Sequence, residues 1–562
     1  MALPKAATEK RVATFEVGFI NLISDVCYDV SAIVAQVDLR SQSWVQELTH
    51  FSLSITEPER QLNSSKETTL ATCLLWLFCM GCVTSPLFGA DRLPNVVLIM
   101  TDDQGYGDVG CYGASDFRTP NMDSLAKDGV RFTSFYVSQP VCTASRASLL
   151  TGCYANRVGF AGALNPTSLN GIHEREILMS ELLKERGYAT SIFGKWHLGY
   201  PSRFNPLNHG FDEYFGLPFS NDNSNDYHPI IRTFPPLPLF DGHKIVARDP
   251  VQSQFTRQFT ERAVKFIDAN QDAPFFLYVP HVMPHVPIFS SKDFEGRSGS
   301  GRYGDVIEEL DWSVGEILKT IRKHGLDDNT LVIFMSDNGP WLSYGEHAGS
   351  SGSLRGGKLT TFEGGVRVPC MMRWPGRIPS GGVCDELVTS MDLLPTISGL
   401  VAGNLPKHKI DGKDIWPLIN GSSDESPHEA FYYYAGGDLH AVRSGDWKLH
   451  FAHPFLEVAG EPGKGGKPAN FENLTPNAIT ESGLKGIASR HGYRIKHTEL
   501  ELYNLRDDLS ETNNVIKQHE DVVKRLIALA EGASADLGDK LTDRVGVKLR
   551  PSGVVEKLDI DN

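Results

Sequence analysis

In the stretch Pro140-Val141-Cys142-Thr143-Ala144-Ser145-Arg146, a thiol and a guanidinium are spaced four residues apart. Pro140 closes whatever precedes it, Ala147 to Leu150 favour helix and Gly152 stops it, so the pattern predicts a helix with Cys142 in its first turn. Arg146 then lies over the same face. The unpaired N–H groups and positive dipole end of a helix start, joined by an arginine fork, suit a tetrahedral oxyanion such as sulfate or phosphate. An isolated cysteine in a helix is more often a packed core thiol, so its role depends on the company it keeps.

That company is polar. Asp102-Asp103 and Asp337-Asn338 form an all-oxygen set suited to a hard divalent cation, calcium or magnesium. Either pair alone would serve equally well as a turn former. Lys195, His197, Lys358 and one of His281 or His285 add cations and proton carriers. The run Gly194-Lys195-Trp196-His197-Leu198-Gly199 is too short and glycine-flanked to be a helix face, so its side chains should project from a loop. Lys358 lies between Gly357 and Gly365 in a glycine-dense segment, which permits close backbone approach to a ligand and equally fits a flexible loop.

The elements that must position these groups share one grammar. Val96 to Met100 is an apolar run of strand length, as expected of a parallel strand buried on both faces, and Asp102 comes directly after it. Thr119-Pro120 opens a helix that Gly129 ends, and Val130 to Tyr136 alternates like a strand. A helix over Glu174 to Arg186 leads to a strand over Tyr188 to Phe193 and then Lys195 and His197. A helix over Gln254 to Asn270 leads to a strand over Phe275 to Val279, then His281 and His285. A helix over Asp305 to His324 leads to a strand over Leu331 to Ser336, then Asp337 and Asn338. Strands alternating with helices predict an α/β fold with a large, mostly parallel sheet flanked by helices. In open sheets of this kind the ligand crevice lies at the carboxyl ends of the strands, so the candidate residues should converge.

After about residue 425 the style changes to short strand-like pieces, Phe431 to Tyr434, His440 to Arg443 and Trp447 to His450. Residues 456–497 read as a long insertion loop, and a helix over Glu520 to Glu531 completes a smaller α+β unit. The expected organisation is a catalytic domain over 91–425 and a C-terminal α+β domain over 426–562. Residues 1–65 carry no assignable role. Residues 66–90 combine a positive start, an apolar run too short to span a bilayer and small residues after it, the pattern of a signal peptide for a periplasmic or secreted protein. Its internal position suggests a true start near Lys66, and a lipid anchor on Cys82 is the minor alternative.

The chain has 562 residues, nine cysteines and a net charge of -15. That charge excludes a general nucleic-acid surface, and no stable membrane partner is expected. No cysteine spacing fits a structural zinc site outside the apolar run, and up to two disulfides could form among the cysteines after residue 90.

Taken in order, these motifs resemble the sulfatase family, a branch of the alkaline phosphatase superfamily, most closely its arylsulfatase A and N-acetylgalactosamine-6-sulfatase type. The resemblance rests on Cys142-Thr143-Ala144-Ser145-Arg146 with Leu149-Leu150-Thr151-Gly152, and on Gly187 to His197. Asp102-Asp103, Pro284-His285-Val286-Pro287, Ser336-Asp337-Asn338-Gly339 and Gly357-Lys358 to Gly365 complete it. It covers residues 94 to 530. It implies that a maturation enzyme converts Cys142 to formylglycine, whose hydrated aldehyde attacks sulfur. It further implies that Asp102, Asp103, Asp337, Asn338 and the modified residue 142 hold one divalent ion, calcium expected and magnesium the alternative. Arg146, Lys195 and Lys358 should neutralise sulfate oxygens, His285 should protonate the leaving alcohol, and His197 should take a proton from the second hydroxyl. His281 lacks the His-x-Pro setting and is expected only to line the pocket. Asp222, in Ser220-Asn221-Asp222-Asn223, is expected with Gly210 to Gly216 in a loop at the pocket rim. Ala144 stands where the family has proline. The expected substrate is a sulfated saccharide or an aryl sulfate. The competing readings are a phosphodiesterase or phosphonate hydrolase using the same groups, and a catalytically silent saccharide-binding protein.

Overall fold

The computed structural model describes residues 92–224, 234–474 and 483–560. The signal-like segment and the first 65 residues lie outside them. Residues 91–562 make one compact unit.

Its frame is a ten-stranded mixed sheet, mostly parallel. In chain order the strands are β1 (Asn95–Thr101), β2 (Val130–Phe132), β3 (Ala189–Lys195), β4 (Glu213–Leu217), β5 (Pro238–Asp241) and β6 (Lys244–Arg248). They continue with β7 (Phe275–Pro280), β8 (Thr330–Ser336), β9 (Cys370–Arg373) and β10 (Gly382–Cys384). Their spatial order is β10-β2-β9-β8-β1-β7-β3-β4-β5-β6. β1 is central because every one of its residues is buried, as a strand covered on both faces must be. It runs parallel to β8 on one side, with Thr101 opposite Ser336, and to β7 on the other.

Helices flank the sheet in two groups. α1 (Pro120–Lys127), α4 (Phe255–Ala269) and α5 (Gly301–Lys323) pack together against strands that include β3, β7 and β9. α2 (Cys142–Thr151), α3 (Met179–Glu185) and α6 (Leu393–Leu400) form the other group. α4 shows why such helices form here: Phe255, Phe259, Ala263, Phe266 and Ile267 recur at helical spacing and are all buried.

A smaller four-stranded antiparallel sheet has the order β11-β12-β13-β16, from β11 (Phe431–Ala435), β12 (Asp438–Ser444), β13 (Trp447–His450) and β16 (Glu501–Asn504). The expected insertion loop is instead structured at its ends. β14 (His453–Val458) and β15 (Tyr493–Thr498) pair in antiparallel register, and α7 (Gly483–His491) precedes β15. Glycine and lysine in the middle of this segment masked the short strand patterns that close it.

Four other expectations change. The helix over 174–186 starts only at Met179, because Glu181 accepts from the Leu178 N–H while Glu176 is drawn away to Arg550 at 2.7 and 2.8 Å. Val130 to Tyr136 breaks into β2 and a separate two-residue strand that pairs with Val388–Thr389. Gly210 to Gly216 is largely β4, inside the sheet rather than a rim loop. The last helix, α8 (Glu520–Leu537), runs past Glu531 because Ala533 and Leu537 continue its buried stripe. Among the described residues the cysteines are free thiols, and no helix is long and apolar enough to cross a membrane.

Arg157 joins distant parts of the chain. Its side chain is fully buried, donates to both Asp411 oxygens at 2.6 and 2.7 Å, and pairs with Asp536 of α8 at 2.6 Å. Replacing Arg157 by Met leaves Asp411 without its cation while Asp536 keeps Lys409 at 2.5 Å, so urea unfolding should lose about 3 kcal/mol, the lower end for a broken buried pair. An unchanged unfolding midpoint would refute that account.

Candidate active site

The strand ends bring the acidic pairs together. Asp102 and Asp103 leave β1, Asp337 and Asn338 leave β8, and the Asp337 N–H donates to Thr101 O at 3.0 Å. Asp103 takes a left-handed turn, φ 66°, and its N–H donates to Asp337 Oδ1 at 3.1 Å. The Asn338 amide donates to Asp103 Oδ1 at 2.7 Å. All four residues are buried.

α2 supplies the thiol. Val141 is extended at its N-cap, Cys142 is the first helical residue, and Gly152 closes the helix in the left-handed region. The whole helix is buried, including Arg146, whose Nε and Nη2 donate to Asp337 Oδ2 at 2.9 and 2.8 Å. Its Nη1 donates to Lys195 O at 2.8 Å. Ligand atoms of Asp102, Cys142 and Asp337 lie within 4.8 Å of one another, as do those of Asp102, Asp103 and His285.

Each carboxylate has its own cation. Lys195 ends β3 and donates to Asp102 Oδ2 at 2.6 Å and to Ser220 Oγ at 2.7 Å. Gly194, at φ 141°, is required just before it, since a Cβ there would stand 2.0 Å from Pro280 O on the neighbouring strand. Lys358 lies 2.8 Å from each Asp103 oxygen, and its ammonium sits 4.3 Å from the Trp341 ring centre. The loop carrying it is pinned by Lys358 N–H to Pro340 O and Leu359 N–H to Pro140 O, both 2.9 Å, the latter two residues before the thiol.

The electrostatics are strained by burial. Burial alone would raise the Asp102 pKa, but Lys195, His285, Arg146 and Lys358 together hold it well below the usual carboxylate range. Burial pushes Asp103 up to about 7 and Asp337 up to about 8. Asp102 Oδ1 and Asn338 Oδ1 are buried with no hydrogen-bond partner among the described residues. Two orphaned oxygens beside carboxylates that resist ionisation fit a hard cation: it would satisfy the lone pairs and stabilise the charged acids.

The two histidines are ordered by backbone carbonyls, which can only accept. His197, at φ 62°, therefore donates Nε2–H to Leu164 O at 2.8 Å, leaving Nδ1 as a lone pair with no partner among the described residues. His285 donates Nδ1–H to Val286 O at 2.6 Å, and its Nε2 is 3.7 Å from Asp103 Oδ2. Burial, then Lys195 for His197 and Lys358 for His285, keep both pKa values well below the usual imidazole value.

His281 is not brought to this pocket. Its Nε2 lies 3.0 Å from Ser313 Oγ on α5 and its ring packs against Phe259, so the strand-end rule that placed it near the site fails for its side chain. Asp222 is at the site, almost buried beside the Ser220 that holds Lys195. Sequence reasoning placed Ser220 only within the expected rim segment, without its contact to Lys195, and missed Trp341. Ser220 comes just after the end of β4, so the strand-end signal could have tied it to Lys195; Trp341 is defined by its contacts with Lys358 and His285.

A large, mostly parallel sheet whose strand ends carry buried cations beside an acidic cluster is the α/β architecture of a hydrolase, with cations of the sign that suits an anionic ester. Residues 94–403 match the family model described as Sulfatase, and 426–553 that for the C-terminal region of aryl-sulfatase. Residues 357–450 also match the C-terminal region of N-sulphoglucosamine sulphohydrolase. The chain is 42% identical to arylsulfatase A of Bos taurus over 379 residues, 64% of this chain and 75% of that protein. It is 40% identical to N-acetylgalactosamine-6-sulfatase of Canis lupus familiaris over 385 residues, 65% of this chain and 72% of that one. The crystal structure of Ps i-CgsB in complex with k-i-k-neocarrahexaose superposes with a TM-score of 0.63 at 29% identity, covering 79% of this chain and 93% of that one. The chain belongs to the sulfatase family, and it is a sulfuric ester hydrolase.

Calcium added to chelator-treated protein should raise its melting temperature, equivalent to about 2.7 kcal/mol when free ion is about a hundredfold above its dissociation constant. Asp102→Ala and Asp337→Ala should abolish that rise; a rise retained in both variants would remove these residues from the cation site.

Proposed function

We propose that this enzyme hydrolyses sulfate esters of saccharides at the pocket around residue 142, with Cys142 converted to formylglycine by a maturation enzyme. One divalent ion, calcium with magnesium as the alternative, would be held by Asp102, Asp103, Asp337, Asn338 and residue 142. The observation that carries this reading is the convergence of Arg146, Lys195 and Lys358 on a cluster of carboxylates, two of which flank a helix-start thiol. The saccharide preference draws on the neighbour crystallised with a carrahexaose and on the relative named for N-acetylgalactosamine-6-sulfate chemistry.

The bound cation would supply positive charge that favours the ionised form of an oxygen held against it. Formylglycine, once hydrated, carries two hydroxyls on one carbon, one to attack sulfur and one to lose a proton when sulfate is released. A thiol offers neither. Arg146, Lys195 and Lys358 stand ready for the sulfate oxygens, where they oppose the charge that develops during transfer. His197, neutral and with Nδ1 free, is suited to accept a proton. His285 directs Nε2 toward the acidic cluster, so it can carry a proton for the leaving alcohol. Burial first, and Lys358 after it, disfavour that proton in the free pocket, and an entering sulfate anion offsets Lys358.

The peptide containing residue 142 should be about 18 Da lighter than its cysteine form after expression with the maturation machinery, the change expected for a thiol becoming an aldehyde. This also tests whether Ala144 in place of proline is accepted. Cys142→Ala should abolish turnover of an aryl sulfate with its melting temperature retained. Retained activity would remove the nucleophile, faster turnover of aryl phosphate or phosphonate would move the enzyme to phosphorus esters, and an unmodified, inactive protein would favour a silent saccharide binder.

A further inference from the structure

Among the acids of this pocket, Asp222 stands apart. Asp102, Asp103 and Asp337 each contact a lysine or arginine at 2.9 Å or less, and each belongs to the cation set. Asp222 has no such partner among the described residues: its Oδ1 accepts from the Asn223 side chain at 3.1 Å. It is nevertheless only 7% exposed, and burial pushes its pKa up to about 6 despite opposing attraction from Lys358 and Lys195.

The turn that carries it is held firmly. Ser220 accepts from Lys195, and the Asn221 amide donates to Pro287 O at 2.9 Å and to Gln252 Oε1 at 2.8 Å. Pro287 lies two residues from His285, so the turn joins a sulfate-binding lysine to the segment that faces the leaving group. Asp222 also acts electrostatically on Tyr344, which packs on Trp341, the ring beside Lys358 and His285.

A carboxylate in a pocket for an anion repels the sulfate itself. It can be tolerated there only if it faces the part of the substrate that donates hydrogen bonds. Resting on the sulfate-ester reading above, we propose that Asp222 is a specificity-determining residue that accepts hydrogen bonds from a hydroxyl or amide N–H of the sugar carrying the sulfate. The favoured leaving group is then a neutral hydroxylated or N-acetylated sugar. A sugar with a carboxylate or second sulfate at that position is disfavoured by like charge.

The test compares matured enzyme and Asp222→Ala on two substrates, N-acetylgalactosamine 6-sulfate and an aryl sulfate without hydroxyl groups. The ratio of kcat/KM for the sugar sulfate to that for the aryl sulfate should fall about tenfold to a hundredfold, the range for losing a hydrogen bond to a charged group. Were Asp222 only a counter-ion for the lysines, both substrates would lose together and the ratio would stay constant, which overturns the proposal. No turnover of either sulfate by the unaltered matured enzyme would instead sink the sulfate-ester reading, and this inference with it. If the melting temperature of Asp222→Ala shows misfolding, Asp222→Leu, which fills the space without an acceptor, carries the same comparison.

Discussion

Three buried ion pairs, Asp102 with Lys195, Asp103 with Lys358 and Asp337 with Arg146, are the constraint on which the rest of the structure depends. Any one of these charges, buried alone, would cost several kcal/mol. Clustering acids would make the cost worse, because like charges raise one another's pKa. The fold answers by drawing each cation from a different place: the second turn of α2, the end of β3 and a loop after β8. That is why the acids lie on adjacent parallel strands. Only neighbouring strand ends can hold Asp102, Asp103 and Asp337 this closely while leaving room for cations from both sides.

The loop bearing Lys358 needs support that the large sheet does not supply. A few residues on, Glu363 is fully buried and pairs with Lys448 at 3.0 Å, while Tyr433 donates to it at 2.8 Å. Glu511 accepts the Glu363 N–H at 2.8 Å and pairs with both Lys448 and His450. The smaller sheet, through β11 and β13, therefore fixes the backbone from which Lys358 reaches Asp103. Burial would raise the Glu363 pKa, but Lys448, Arg367 and Arg443 hold it below the usual range, so Glu363 itself remains charged. A change of sheet near residue 431 marks a change of architecture without marking a functional boundary.

Much of this was legible in the sequence, for a definite reason. Buried parallel strands are continuous apolar runs, and the residues at their carboxyl ends must sit at the crevice, so Asp102, Lys195 and Asp337 could be placed from the chain alone. The helix start at Cys142 was legible because proline and glycine bracket it. The same rule placed His281 wrongly: leaving a strand end locates a backbone, and the side chain turned toward Ser313. The strand β4 was hidden because it comes after Gly210 and Asp212 and reads as a turn, so Ser220 was placed in a rim loop without its tie to Lys195. Trp341, and the β14–β15 pairing that brings His491 beside it, depend on contacts between segments far apart in the chain, which local pattern does not encode.

Charge counting links these observations to the substrate. Arg146, Lys195 and Lys358 face Asp102, Asp103 and Asp337, so these six groups come close to neutral among themselves, with Asp103 and Asp337 reluctant to ionise. A divalent cation among those oxygens would leave a surplus of positive charge, which Asp222 then reduces. A sulfate monoester carries a single negative charge, whereas a phosphate monoester near neutral pH carries almost two. A pocket with a small positive surplus and one carboxylate reserved for the sugar is matched to the singly charged ester. Charge balance thus separates a sulfate monoester from a phosphate monoester; a phosphodiester, which is also singly charged, is separated from it by the turnover comparison alone.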